Sequence, residues 1–231
     1  MLLNFSSRTS AAGVAALALA AITGCSSTKQ KVGLADVDSL MTRVEKVHME
    51  TELSKEAVYD AVLKMQPIFA ANFDGDASEA FAAFAEATVA CQSQANKLRT
   101  HVAPMRSAAD TVFDEWTVKL EDFTSQSMRQ RSLLRLEATR ERYTEVQEAA
   151  VAAQEAFDDL NSGMRDIVLF LGHDFNMDAV QEITEEAVTI RDQARSLGMV
   201  FDDCMQAAED YIATAGLRSG QAAGPSLPGE E

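Results

Sequence analysis

The stretch that decides the fold is residues 136–171, which read LEATRERYTEVQEAAVAAQEAFDDLNSGMRDIVLFL. Its apolar residues return at alternating steps of three and four, the 3.5-residue period of helices that pack side by side. This seam consists of Leu136, Thr139, Tyr143, Val146, Ala150, Ala153, Phe157, Leu160, Met164, Ile167 and Leu171. The stretch contains no proline and is rich in Ala, Glu, Leu, Arg and Gln, which favour helix. We therefore predict one long helix with a single buried face.

Three further segments carry the same period. The first has its seam at Val37, Leu40, Val44, Val47, Thr51, Ser54, Val58, Ala61, Met65 and Ile68. The second has it at Phe81, Phe84, Thr88, Cys91, Ala95, Leu98, Val102, Met105, Ala109, Val112 and Trp116. The last has it at Val180, Ile183, Ala187, Ile190, Ala194, Leu197, Phe201, Cys204, Ala208, Tyr211 and Ala215.

These periods predict four helices, at about 36–72, 77–123, 128–171 and 177–215. Short connections between helices of similar length favour antiparallel neighbours. The predicted fold is therefore all-α. It is an antiparallel up-down-up-down bundle of four long helices with coiled-coil-like packing, which occupies residues 36–215.

The predicted helix ends have matching residue types. Asp76 precedes a glutamate by three residues in a capping-box pattern, and Ser127 stands in the same relation to a glutamine. We expect Gly172 to end the third helix in a left-handed conformation and Asn176 to cap the fourth. Pro67 and Pro104 lie inside helical periods, where the missing backbone donor of each predicts a kink.

The first 24 residues have the build of a secretory signal peptide. Arg8 is the only charged residue among them, and the apolar run 9–22 is shorter than the ~20 residues of a membrane-spanning helix. The run ends in Ile22-Thr23-Gly24-Cys25, which resembles the bacterial lipobox. We predict that Cys25 is lipidated and anchors the chain in the cell envelope, facing the periplasm. Ser26 follows instead of the Asp that retains lipoproteins at the inner membrane, which favours the outer membrane.

The two ends of the remaining chain lack helical periodicity. Residues 25–35 hold the lipidated cysteine and then a polar stretch, which we interpret as a tether. Residues 216–231 contain two prolines and are predicted to be a disordered tail.

Composition argues against several classes of function. The net charge is −16, and a surface of that sign repels nucleic acid. The sequence has no Gly-x-x-x-x-Gly-Lys-Ser/Thr loop for nucleotide phosphates. His48, His101 and His173 lie far apart without partners at ligand spacing, so we predict no metal site and no cofactor.

Cys91 and Cys204 both fall on seam positions. In the predicted bundle they lie about 18 Å and about 40 Å along helices that start at the same end. That difference in height exceeds the ~7 Å limit on the Cα separation of a disulfide. We predict two separate, buried, reduced thiols.

A group of arginines stands out in this acidic chain. It consists of Arg129, Arg131, Arg135, Arg140 and Arg142, at the start of the third predicted helix. In the predicted bundle this end lies beside the start of the first helix and near the anchor. One interpretation is that the arginines contact anionic lipid. The other is that they pair with Glu121, Asp122, Glu137 and Glu141 as weak surface ion pairs.

Four short runs resemble a known family. They are Asn72-Phe73-Asp74-Gly75, Phe113-Asp114-Glu115-Trp116, Arg140-Glu141-Arg142-Tyr143 and Val168-Leu169-Phe170-Leu171. The sequence from Val37 to Ala215 resembles a bacterial family classified only as a domain of unknown function, whose members are secreted or lipid-anchored helical proteins. The resemblance implies the bundle and the envelope setting and supplies no catalytic residues. Some members carry a DNA-repair ATPase label, which the motifs of this sequence do not support.

These features predict a non-enzymatic, lipid-anchored envelope protein that acts as a helical scaffold or adaptor. Its expected partners are the membrane, through the lipid on Cys25, and a periplasmic protein or the cell wall. The alternative is a membrane-surface or cell-wall binding module that uses the arginine-rich end of the bundle.

Overall fold

The computed structural model describes residues 34–70 and 75–215. Of these residues 94% are helical, and no strand occurs among them, so the all-α prediction is confirmed. The predicted signal peptide, Cys25 and the tail at 216–231 lie outside the described residues. The predicted tether lies outside them too, apart from residues 34 and 35, which already belong to the first helix.

The chain forms long helices joined by short turns. The α-helices are α1 (Leu34–Met65), α2 (Ala77–Lys119), α3 (Gln126–His173), α4 (Met177–Glu182) and α5 (Thr184–Ala215). Short 3-10 turns follow α1 at Gln66–Phe69 and α2 at Leu120–Asp122. None of the described helices is both long enough and apolar enough to cross a membrane.

The predicted seams form the core. All their positions are buried except six that are half-buried, namely Val37, Phe81, Trp116, Thr139, Ala194 and Ala215. Phe157 and Phe201, both fully buried, meet edge to face across α3 and α5 with ring centroids 5.4 Å apart. The assigned helical register is therefore confirmed.

Each long helix packs on two others. The main contacts join α1 to α2 and α5, and α3 to α2 and α5. Along α1, His48 lies 3.1 Å from Glu209 and Lys55 lies 2.5 Å from Asp202, so numbers rise on α1 while they fall on α5. The contacts between α1 and α5 are therefore those of antiparallel neighbours.

The same reversal occurs between α2 and α3. Arg99 binds Asp158 at 2.6 Å, and Trp116 donates a hydrogen bond to Ser132 at 3.0 Å. Increasing numbers on α2 again meet decreasing numbers on α3.

Two predicted caps are present. The Asp76 side chain accepts hydrogen bonds from the backbone N–H groups of Ser78 and Glu79, at 2.8 and 3.0 Å. The Asn176 side chain accepts one from Ala179 at 2.9 Å. Each satisfies donors that the first turn of a helix leaves without a partner.

Other predicted helix ends were wrong. The first helix stops at Met65 and tightens into the 3-10 turn, because Pro67 cannot donate the next helical hydrogen bond. The third begins earlier than predicted, since Ser125 and not Ser127 provides the cap, by accepting from Met128. It also continues past Gly172, which is helical, as far as His173.

The fourth predicted helix is divided. It breaks at Ile183, whose φ of −107° and ψ of 19° leave the helical region. The break allows α4 to contact the 3-10 turn after α1, while α5 runs along α1 and α3.

Candidate functional site

The arginine group lies on a part of α3 that is mostly exposed. Between residues 126 and 142 the only buried residue is Leu136. Arg129, Arg131, Arg135 and Arg140 are exposed, and Arg142 is half-buried. Cys25, the other predicted functional residue, lies outside the described residues.

The predicted ion pairing holds for one arginine. Arg129 forms an ion pair with Glu121. The Arg140 guanidinium lies 5.3 Å from the centre of the Phe113 ring, as in a cation–π contact. Among residues 34–70 and 75–215, no carboxylate lies within ion-pair distance of Arg131, Arg135, Arg140 or Arg142. For those four the predicted pairing was wrong.

A groove lies beside the arginines, and we call it the α2–α3 groove. It has a volume of about 610 Å³ and is bounded by the end of α2, the start of α3 and the outer ends of α1 and α5. Its lining consists of Val37, Val112, Glu115, Trp116, Lys119, Phe123, Ser132, Leu134, Arg135, Ala138, Thr139, Arg142, Thr214 and Ala215. The wall is mainly apolar, with its charges at a few positions.

Most polar groups of the groove are engaged with one another. The Trp116 Nε1–H donates to Ser132 Oγ at 3.0 Å, and Lys119 lies 3.4 Å from Glu115. Two cations of the lining, Arg135 and Arg142, have no such carboxylate partner among the described residues. The lining therefore carries three cations against one carboxylate.

Arg142 has an unusual environment within this wall. One of its terminal nitrogens donates a long hydrogen bond of 3.3 Å to Thr139 Oγ1. Its Nε is buried and has no hydrogen-bond partner within the described part of the chain. Arg142 as a whole is half-buried and lines the groove, so its positive charge attracts an anion that enters the groove.

A cluster of aromatic rings follows Arg142. The Tyr143 ring contacts Phe113 and Tyr211 edge to face, with centroid separations of 5.6 and 6.0 Å. Burial raises the pKa of the Tyr143 hydroxyl, and this hydroxyl has no hydrogen-bond partner among the described residues. Burial also raises the pKa of Tyr211 to about 12, against the opposing charge of Arg142. Both phenols are therefore neutral at physiological pH.

The two thiols agree with the sequence prediction. Cys91 and Cys204 are both free and fully buried. The two thiols lie beside different parts of α1. Cys204 is 3.7 Å from Thr51, whereas the α1 residue whose charge acts on Cys91 is Asp60. Burial raises the pKa of the Cys91 thiol to about 12, and it also raises the pKa of Cys204. Neither is an activated nucleophile, which would require a lowered pKa.

The sequence interpretation missed a polar contact inside the bundle. Gln94, a buried residue that is off the seam, donates to Glu50 at 2.7 Å. His101 lies 3.7 Å from the same carboxylate. His173 is the last residue of α3. No group of three residues suited to holding a metal ion occurs in the described ranges.

A family model covers most of this architecture. It matches residues 26–215 and is described as "Protein of unknown function (DUF2959)". No curated protein and no solved structure matched the chain. The match covers all the described helices and agrees with the predicted resemblance to a family of unknown function. The chain therefore belongs to the DUF2959 family.

Proposed function

We propose that this protein is a non-enzymatic scaffold or adaptor of the bacterial cell envelope. In this proposal a lipid on Cys25 anchors the chain at the membrane, facing the periplasm, and the outer membrane is favoured over the inner. The described helices form an antiparallel up-down-up-down bundle with coiled-coil-like packing. The exposed surface of this bundle binds a periplasmic protein or the cell wall.

The observation that carries the proposal is the continuous core. Apolar residues occupy nearly every seam position from Leu40 to Tyr211, and opposing cross-helix contacts support antiparallel neighbours. Such an interior stabilises a long rod and leaves recognition to the outer surface. Several large apolar side chains are exposed on that surface, among them Tyr59 at 66% and Val89 at 70%.

The anchor is tested by replacing one atom. Cys25→Ser should leave a precursor that is neither cleaved nor lipidated, because the thiol sulfur is the atom that accepts the lipid. Radiolabelled fatty acid should enter the wild-type protein and not the variant. If the label never enters the wild type, the anchor is wrong.

The adaptor function is tested by photo-crosslinking in intact cells. A photoreactive amino acid at Tyr59 or Val89 should capture one discrete partner, while the same amino acid at the buried Leu98 should capture none. The Cys25→Ser background should lose the product, because the bundle is then no longer held at the membrane. Crosslinks absent from every exposed position would contradict the adaptor function.

A second candidate function uses the arginine group as a membrane-surface contact. Arg131 and Arg135 are exposed and have no carboxylate partner among the described residues, which favours it. The chain carrying Cys25→Ser, which lacks the lipid, should bind anionic vesicles in low salt and release them in high salt. Replacing both arginines with Gln should abolish binding.

The matched control for this test removes the same charge from α5. Replacing Arg191 and Arg195 with Gln alters the net charge equally, but these residues lie beside Asp192. Equal loss of vesicle binding in both double variants would reduce the effect to net charge and would contradict a specific arginine surface.

A further inference from the structure

The α2–α3 groove has a charge opposite to that of the rest of the molecule. The chain carries a net charge of −16, whereas the groove presents Lys119, Arg135 and Arg142 against Glu115 alone. Because Lys119 is engaged by Glu115, Arg135 and Arg142 supply the uncompensated positive charge. A groove of this kind attracts an anion, whereas the net negative charge of the molecule repels anions elsewhere.

The wall of the groove is suited to an apolar body. Trp116, Phe123 and Leu134 line it, and the last two leave 39% and 56% of their surface exposed. Its volume of about 610 Å³ falls within the roughly 300–1,000 Å³ of small-molecule sites. An occupant that covered these side chains would remove apolar surface from water, which favours binding.

From these observations we propose that the α2–α3 groove binds a single-chain anionic amphiphile, such as a long-chain fatty acid. The acyl chain lies along Trp116, Phe123 and Leu134, and the anionic head meets Arg142 and Arg135.

Arg142 determines the chemistry of the head group. Its buried Nε has no acceptor among the described residues, and the hydrogen bond from one of its terminal nitrogens to Thr139 is long at 3.3 Å. A carboxylate presents two oxygens to a guanidinium edge in a pair of parallel, charge-assisted hydrogen bonds. The carboxylate meets the part of the Arg142 guanidinium that lines the groove, because the Nε itself has no exposed surface.

This inference does not depend on the adaptor proposal. The adaptor requires the lipid on Cys25 and a partner on the outer surface, whereas the groove requires neither. Failure of the crosslinking experiment would not contradict the ligand site. Failure of the ligand experiments would not contradict the adaptor function.

The test uses the single tryptophan of the chain, Trp116, which lies in the groove wall. The full chain is titrated with 9,10-dibromostearic acid below its micelle concentration, because bromine quenches indole fluorescence on close contact. We expect saturable quenching of Trp116. Unbrominated stearic acid should compete for the site without quenching.

The head-group contact is tested by a double-mutant cycle. Arg142→Gln should weaken binding of the acid about tenfold, which is the size of one charge-assisted contact of ~1.4 kcal/mol. The methyl ester of the brominated acid should bind the wild type more weakly than the acid does, by a similar factor. It should bind Arg142→Gln no more weakly than the acid binds that variant. Arg131→Gln, on the same helix but outside the groove, should leave the affinity unchanged.

Three results would overturn the proposal. Equal binding of acid and ester to the wild type would show that the site does not recognise an anionic head group. Quenching by anionic vesicles with brominated acyl chains, but not by the free acid, would make the site a membrane contact. Quenching only after truncation of the chain at Ala215 would mean that residues 216–231 occupy the groove themselves.

Discussion

The two halves of α3 share one helical period and have different surroundings. From Tyr143 to Leu171 every seam residue is buried, whereas from 126 to 142 only Leu136 is. The cause is length, because α3 has 48 residues and α1 and α5 have 32 each. The first turns of α3 therefore extend past the described ends of those helices and rest mainly on α2. The packed half holds the fold, and the open half presents the arginines and the groove.

The largest expected effect tests the packed half. Leu160 is 1% exposed, so Leu160→Ala should lower the free energy of unfolding by ~2–5 kcal/mol through lost burial and the cavity left behind. Urea unfolding followed by circular dichroism measures the change.

The control is a substitution five residues earlier on the same helix. Glu155 is exposed, and Glu155→Ala should change the unfolding free energy by no more than ~0.5 kcal/mol. Equal losses for the two variants would mean that the seam of α3 does not face the core.

Sequence periodicity predicted the packed half well and the open half poorly, for a physical reason. A seam such as Phe157 and Leu160 is set by local spacing, which the sequence contains. The α2–α3 groove depends on where neighbouring helices end, and the start of α3 differs from the prediction because Ser125 provides its cap. The off-seam apolar residues Phe123 and Leu134 were the available signal for the groove, but spacing alone could not place them beside one another.

The thiols provide the next comparison, because both lie where the bundle is fully packed. With its pKa raised from 9.0 to about 12, Cys91 should contain roughly a thousandfold less thiolate at pH 8 than an ordinary thiol. Maleimide should therefore label it far more slowly in the folded protein than in urea, because the thiol is fully buried and its thiolate is disfavoured. Labelling at the unfolded rate, or a disulfide found by non-reducing mass spectrometry, would contradict the packing.

The same pKa predicts a loss of stability in alkali. In the unfolded chain the thiol releases its proton near pH 9, whereas in the folded chain it keeps it until about pH 12. The stabilising contribution of Cys91 is therefore complete below pH 9 and is lost as the pH rises toward 12. Unfolding in urea at pH 8 and pH 10.5 measures the loss, and Cys91→Ala should make it smaller.

A smaller effect is expected at the junction between the two halves. Tyr143 is 3% exposed, and its hydroxyl is buried without a hydrogen-bond partner among the described residues. Tyr143→Phe keeps the ring contacts with Phe113 and Tyr211 and removes the isolated hydroxyl. The free energy of unfolding should rise by about 1 kcal/mol. Tyr59→Phe, at a 66% exposed site, should leave it unchanged, and a loss of stability in Tyr143→Phe would indicate a hidden partner for the hydroxyl.

The smallest effect is expected in the open half. The Arg129 and Glu121 side chains are 48% and 71% exposed, so water screens their attraction, and Arg129→Ala should change stability by no more than ~0.5 kcal/mol. Arg129 also lies in the first turns of α3, where the positive end of the helix dipole disfavours a cation. The favourable energy of the ion pair and the unfavourable energy of the cation at the helix dipole therefore nearly cancel. A contribution to stability does not explain why an arginine occupies this position. A double-mutant cycle of Arg129→Ala with Glu121→Ala measures the pair directly, and a coupling well above ~1 kcal/mol would mean that the open half contributes to folding.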